Sequence, residues 1–269
     1  MIYLKSESEI ELMKIAGAAT ASVFAAVEPQ IKPGISTAEL NEIVEATIRA
    51  AGATPSFLGY GDPPFSGSAC ISINEEIVHG LPSTKRFLAD GDIVSIDVGA
   101  YINGFHGDAC RTYCCGNVCP EHRALVKCAE EAFWLGIREA RAGQRIGDIS
   151  ATVQEHVESK GYGVVRELTG HGIGRNLHES PDLLNYGRRG RGVRLEEGMC
   201  LALEPMITLG THQIRLLSDG WTIITADRKA SAHYENSFAI LADGPYVLTC
   251  PGYERPLADG FTPPPSLAD

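Results

Sequence analysis

The chain has 269 residues, is 44% hydrophobic and carries a formal net charge of −11. That length and apolar content suffice to bury a sizeable core as one domain of two halves. The acidic balance argues against a general nucleic-acid binder. No run of 18 uninterrupted apolar residues occurs, so no membrane span is expected. Acidic residues in the opening MIYLKSESEIELMK occupy the place where a secretory signal needs an apolar stretch, which points to the cytoplasm.

Residues 7 to 28 read as a helix, with Ile10, Met13, Ala16, Ala19 and Val23 on one face. A second helical segment runs to Gly52, and the Gly- and Pro-dense stretch TPSFLGYGDPPF then predicts an irregular loop from Ala53 to Phe65. Cys70 to Ile73 reads as a short strand leading through Asn74-Glu75 into Ile77-Val78-His79-Gly80. A strand pair carrying Asp97 and Asp108 follows. Residues 120 to 141 read as a third helix, with a fourth after it. The tail 255–269, with Pro263-Pro264-Pro265, is expected to be poorly ordered at its end. No low-complexity linker divides the chain, so residues 1–269 are expected to form a single domain.

Within that domain the chain repeats itself, over about residues 30–115 and 140–245. Lys32-Pro33-Gly34 and Arg141-Ala142-Gly143 each open a segment of helical apolar spacing: Ile35, Leu40, Ile43, Val44 and Ile48 in one, Ile146, Ile149, Val153 and Val157 in the other. The segments stop at Gly52 and Gly161, as helix C-termini do. Asp90-Gly91 followed by DIVSID matches Glu197-Gly198 followed by MCLALE, and each run ends in a carboxylate, Asp97 or Glu204. His106-Gly107-Asp108 parallels His233-Tyr234-Glu235. Two such halves, each a helix plus a hairpin, can close about a pseudo-two-fold axis. Opposed side chains on antiparallel neighbours lie about 5 Å apart, which suits carboxylates that share metals.

Asp97, Asp108, His171, Glu204 and Glu235 thus become one candidate metal site. Taken singly, an Asp at a strand end is more often a turn former or a cap; the repeat is what joins them. Four carboxylates and an imidazole form a hard donor set, suited to Mn, Fe(II), Co or Zn in a shared site rather than to a structural zinc. Four negative charges need cations or protons beside them, and two divalent ions would serve. His171, set between glycines in TGHGIG, breaks the symmetry. His79 in VHG and His178 in NLHES are the candidates for the donors that an amide hydrolase needs at the oxyanion and the leaving amine.

The eight cysteines, with no signal peptide to accompany them, read as reduced thiols. Cys114-Cys115 followed by Cys119 lacks a second paired half at zinc spacing and reads as strand and loop thiols. Cys70 and Cys200 lie in apolar runs as core residues would. The basic cluster GRRGRGVR, Gly187 to Arg194, reads as a solvated loop, with a contact to ribosomal RNA as the alternative.

The stretches KPGISTAEL, CISINEEIVHGLP, GDIVSIDVGAYINGFHGDACRTY, GHGIGRNLHESP, LALEPM and DGWTIITADRKASAHYENS together resemble the type I methionine aminopeptidases of the short bacterial kind. The resemblance runs from the second helix to the last core strand. It implies an α+β pita-bread fold, two pseudo-two-fold-related helix and antiparallel-hairpin halves around a central curved sheet. It also implies two divalent ions (Co, Mn, Fe(II) or Zn) and release of N-terminal methionine from nascent proteins whose second residue is small. By the resemblance Asp97 chelates one ion, Asp108 and Glu235 bridge both, and His171 and Glu204 complete the other. Glu204 relays a proton, His178 stabilises the oxyanion and His79 contacts the scissile amide. Tyr60, Phe65, Cys70 and Trp221 line the methionine pocket.

The chain departs from the family pattern in a longer loop over residues 60–70 and in Asn236, where some relatives carry histidine. Neither a zinc-finger extension nor the type II helical insertion is expected from this sequence. Two alternatives compete: an Xaa-Pro aminopeptidase of the same fold, and a non-catalytic relative that binds RNA or ribosomes. The first usually carries a further N-terminal domain, and the second has lost ligands that are all present here. A monomer with at most a transient ribosome contact is expected.

Overall fold

The computed structural model describes residues 1–258 and 260–268. Helix α1 (Glu7–Val27) starts where the Ser6 hydroxyl accepts from the Glu9 N–H and the Glu9 carboxylate accepts in return from the Ser6 N–H, a reciprocal cap that satisfies two orphan donors. Helix α2 (Thr37–Ala50) repeats the device with Ser36 and Glu39. Helix α3 (Pro120–Gly136) opens on a proline, whose missing N–H costs nothing in the first turn. It ends short of residue 141 in a single 3₁₀ turn, Ile137–Glu139. Helix α4 (Ile146–Ser159) completes the set.

Helix α1 with its following turn, Glu7–Gln30, is long and apolar enough to cross a membrane by length and composition, which corrects the expectation that no segment qualifies. Half of that apolar window is buried in the protein. Val23, Phe24 and Val27 pack with Leu40, Val44 and Ile48 of α2, so the apolar length here serves a core helix.

Eleven strands position the site: β1 (Ala69–Ile73), β2 (Glu76–Val78), β3 (Ile93–Ile102), β4 (Phe105–Cys114), β5 (Gly170–Gly172), β6 (Glu179–Leu183), β7 (Cys200–Leu203), β8 (Met206–Thr208), β9 (Ser231–His233), β10 (Glu235–Leu241) and β11 (Gly244–Val247). The main sheet is antiparallel in the order β3-β4-β10-β7-β5-β6. The short strand Thr54–Pro55 and β1 pair with β3, and β11 pairs with β10. Strand β9 pairs with β8 in a smaller sheet, and β2 with residues Ile223–Thr225 in another.

Alternation then sorts the faces. Val94, Ile96 and Val98 of β3 and Ala109 of β4 pack in the cluster formed with α1 and α2, so Asp97 and Asp108 point to the opposite face. Leu201, Leu203 and Phe238 pack with α3 and α4 on the other half.

Matching backbone hydrogen bonds occur in the two segments. The Gly34 N–H donates to Leu88 O and the Gly143 N–H to Leu195 O, each at 2.8 Å. Leu88 N–H returns to Ile35 O at 2.9 Å, and Leu195 N–H to Gln144 O at 2.8 Å. Gly91 and Gly198 turn into β3 and β7 at φ of +95° and +88°, a region that disfavours side chains with a Cβ. The halves meet where β4 pairs with β10, Cys110 opposite Glu235 and Ala109 opposite Asn236. In the second half β7 and β10 pair as expected, but residues 204–234 are folded between them into the small sheets.

Two surface expectations meet the structure differently. In the basic loop, Arg189 pairs with Glu155 at 2.7 Å and the Gly190 N–H donates to Asp148 at 2.7 Å, while Arg188 and Arg191 stay exposed. The described part of the C-terminal tail is docked rather than loose. Ser266 Oγ donates to Glu130 of α3 at 2.5 Å, Leu267 N–H donates to the same carboxylate at 2.9 Å, and Phe261 lies against Trp134.

Candidate active site

The concave face of the sheet holds a cavity of about 290 Å³, and Tyr60, Phe65, Cys70, His79, Asp97, Asp108, His171, His178, Glu204, Trp221 and Glu235 all border it. No candidate residue lies elsewhere. Phe57, Leu177 and His233 also border it; none of the three is among the candidate site residues drawn from the sequence. The first two are apolar residues in loops, indistinguishable there from ordinary core. His233 had a signal, since it stands two residues before Glu235, but its counterpart His106 stays outside the cavity, bonded to Ser56 Oγ at 2.9 Å.

Each central side chain is delivered by a tight piece of backbone. His171 sits in β5 between two glycines for which there is no alternative: a Cβ at Gly170 would meet Ala202 O at 2.4 Å, and one at Gly172 would meet Ser180 O at 2.5 Å. The His171 Nδ1–H donates to Gly172 O at 2.8 Å. That bond leaves Nε2 with its lone pair free, 3.8 Å from Asp108 Oδ2 and 3.7 Å from Glu204 Oε1. His79 follows β2 at φ +59°, a left-handed conformation uncommon outside glycine and one found at functional turns.

The electrostatics are those of an overfilled acid pocket. Asp108 and Glu235 are buried, and Asp97 Oδ1, Asp108 Oδ1 and Glu235 Oε1 have no hydrogen-bond partner. Burial raises the Asp97 carboxyl to about 7. Burial first, and mutual repulsion second, raise Asp108, Glu204 and Glu235 well above the ordinary carboxylate range. Burial lowers His171 and His233 to about 3, so both imidazoles are neutral and able to donate a lone pair. Acids that resist ionisation beside bases that resist protonation make a donor set that suits a cation. Donor atoms of Asp108, His171 and Glu235 lie within 4.8 Å of one another, and so do those of Asp97, His233 and Glu235.

Beside this cluster stands an aromatic wall. Phe65 meets Trp221 edge to face at 5.1 Å, and His79 meets it likewise at 5.8 Å. The loop 57–65 closes on Trp221 through Nε1–H to Pro63 O at 3.1 Å. Tyr60 and His178 share a 2.6 Å hydrogen bond between the phenol oxygen and Nδ1, and the His178 ring lies 4.3 Å from that of His171. Asn236 does not border the cavity; its Oδ1 accepts from Arg111 Nη2 at 2.6 Å and from Thr249 Oγ1 at 2.9 Å.

Residues 11–242 match the model of metallopeptidase family M24. The chain belongs to that family. Among M24 relatives it is 49% identical over 250 residues to the methionine aminopeptidase of Clostridium perfringens, a match spanning 93% of this chain and 99% of the relative. The crystal structure of methionine aminopeptidase from Thermotoga maritima superposes with a TM-score of 0.90 at 41% identity, covering 93% of this chain and 99% of that one. The Xaa-Pro dipeptidase from Bacillus anthracis shares the fold at a TM-score of 0.74 and 26% identity, but the match spans only 61% of its length. These similarities bear out the resemblance drawn from the sequence and the pita-bread architecture it implies. An M24 metallopeptidase binds divalent metal, and the unpartnered oxygens and bare imidazole nitrogens here fit that requirement.

Proposed function

We propose that this M24 chain is a methionine aminopeptidase that removes the N-terminal methionine from peptides and nascent proteins whose second residue is small. The observation that carries the reading is one cavity in which two donor triplets share Glu235 and face an aromatic wall. Two divalent ions held there would lower the pKa of the attacking water and supply Lewis acidity to the peptide carbonyl. Asp97, Asp108, His171, Glu204 and Glu235 would hold the ions, with Glu235 common to both donor triplets; Co, Mn, Fe(II) and Zn all suit this set.

The remaining steps belong to side chains. Glu204 takes the proton of the attacking water and passes it to the leaving amine. The Tyr60 hydroxyl donates to His178 Nδ1, which leaves the Nε2–H of that ring as a donor toward the oxyanion. His79, aimed by its left-handed turn, contacts the scissile amide. Phe65, Trp221, Cys70 and Tyr60 enclose the methionine side chain, whose thioether packs well against aromatic edges. The proposal places the enzyme in the cytoplasm as a monomer acting on N-terminal peptides, with exposed Arg188 and Arg191 as the groups for a transient ribosome contact.

The test is to strip the protein of metal and offer Met-Ala-Ser and Ala-Pro-Ala with each divalent ion restored in turn. Metal-dependent release of methionine alone is expected. Preferential cleavage of Ala-Pro-Ala would favour the Xaa-Pro activity, and no turnover under any ion would leave a binding protein.

A further inference from the structure

We infer that His233 is a sixth protein ligand of the metal centre, giving the ion held by Asp97 an imidazole donor of its own. The inference rests on the two-ion reading above and adds to it the donor set of one ion. His233 is 1% exposed, and neither of its ring nitrogens has a hydrogen-bond partner. An imidazole buried with both nitrogens empty loses its hydration without compensation, so something absent from the protein's own atoms must satisfy it.

The groups in front of it say what. Its Nε2 lies 3.5 Å from Glu235 Oε2 and 3.9 Å from Glu204 Oε2, and its donor atom falls within 4.8 Å of those of Asp97 and Glu235. Such spacings are long for hydrogen bonds. They are close to the separations of about 3 to 3.5 Å between donors that share one ion at about 2.0–2.2 Å.

The arrangement mirrors the one around His171. Glu204 directs Oε1 at His171, 3.7 Å away, and Oε2 at His233. Each donor triplet then holds one Asp, one imidazole and the shared Glu235. The backbone that presents the ring is held fast. The Thr112 hydroxyl accepts from the His233 N–H at 2.9 Å and donates to the His233 carbonyl at 2.8 Å. Ser95 Oγ holds that hydroxyl in turn at 2.8 Å, and His233 pairs with Met206 across β8 and β9.

The chemical consequence lies in metal preference. With carboxylates alone the Asp97 position would favour hard ions such as Mn; an imidazole there shifts it toward Fe, Co, Ni and Zn. His233 is therefore a ligand that tunes which ion occupies one half of the pair.

The deciding measurement uses the full-length protein loaded with Co(II) and needs no turnover. Each imidazole bound to Co(II) gives one strongly shifted, solvent-exchangeable ring N–H resonance. Two are expected in the wild type and one in His233→Gln, which keeps a polar group but loses the nitrogen donor. Titration of the metal-free proteins should show one of the two Co(II) sites weakened by more than about a hundredfold in His233→Gln, beyond the roughly 10–100-fold effect of losing an outer partner. A single shifted resonance in the wild type, or unchanged affinities and visible spectrum in the variant, overturns the inference while the two-ion reading survives. A wild type that binds no Co(II) overturns both. The wild-type resonance count holds even if the variant misfolds.

Discussion

Removing metal from this protein should expose a stability contribution at Asp97 that falls as pH rises, the reverse of ordinary acid denaturation. The perturbation is exhaustive chelation, and the Asp97 contribution is read as the difference between wild type and Asp97→Asn. The difference is needed because the buried imidazoles of His171 and His233, lowered to about 3, add stability as pH rises through the same range. The Asp97 carboxyl is raised from 3.8 to about 7 by burial. A group whose folded pKa lies above its unfolded value favours the fold fully below the unfolded pKa. That support is lost as pH rises toward the folded one. Between pH 5.5 and 8 the unfolded chain has already lost this proton and the folded chain is still losing it. At about 1.36 kcal/mol per pKa unit, that window removes roughly 2 kcal/mol through Asp97 alone. Burial and mutual repulsion raise Asp108, Glu204 and Glu235 as well, and they act in the same direction.

For a chain of this length 2 kcal/mol corresponds to a Tm lower by about 4–8 °C. Calorimetry of chelated wild type and Asp97→Asn at pH 5.5, 6.5, 7.5 and 8 measures it. The wild type should lose about 2 kcal/mol relative to the variant between pH 5.5 and 8, and adding a divalent ion to the wild type at pH 8 should restore several degrees, since ligand at about 1,000 times its Kd adds about 4 kcal/mol. A variant with the same slope as wild type refutes the account of the pocket as crowded acids.

Replacing Tyr60 by Phe removes the 2.6 Å bond to His178 but keeps the ring contact at 5.3 Å. Loss of about 1 kcal/mol should lower kcat by roughly fivefold with KM little changed, and an unaltered kcat on Met-Ala-Ser would remove the positioning role. Gly172→Ala places a Cβ 2.5 Å from Ser180 O, so β5 and β6 must part. A urea midpoint equivalent to about 2 kcal/mol or more of lost stability is expected, together with weaker metal binding, and a variant as stable as wild type would show that the strand can move. Lys5→Met strands the Glu179 carboxylate, whose 2.6 Å partner has 5% side-chain exposure. A loss of about 3–5 kcal/mol is expected, largely recovered in Lys5→Met/Glu179→Gln; equal loss in the single and double variants would place the cost in packing instead of charge.

Much of the fold was legible because its signals are local. The turn glycines Gly52, Gly91, Gly161 and Gly198 act within a few residues of themselves. The acid at the end of each buried strand reads equally well once the repeat is seen. What escaped depends on contacts distant in sequence. Whether the histidine two residues before the acid faces the cavity or not is decided by neighbours: Ser56 takes His106, whereas β8 and Thr112 fix His233 toward Glu235. The triple-proline tail reads as loose until Glu130, well over a hundred residues earlier, receives Ser266 and Leu267. The apolar length of α1 has the same ambiguity, settled by the strands and helix it packs on.

The same non-local logic accounts for Asn236. The pairing of Asn236 with Ala109 lies where the two halves meet. Behind it, away from the cavity, Arg111 is buried between the rings of Phe24 and Tyr234, at 4.7 and 4.3 Å. Its guanidinium donates to Cys110 O at 2.8 Å, to Glu235 O at 2.6 Å and to Asn236 Oδ1. A cation on the concave side would neutralise the carboxylates and compete with metal for them. Placed behind the sheet, it contributes a fixed positive charge near Glu235 and occupies none of the space the ions need. The side chain at 236 therefore has to accept a hydrogen bond from an arginine that never deprotonates, and an amide oxygen meets that demand without reaching the metal site.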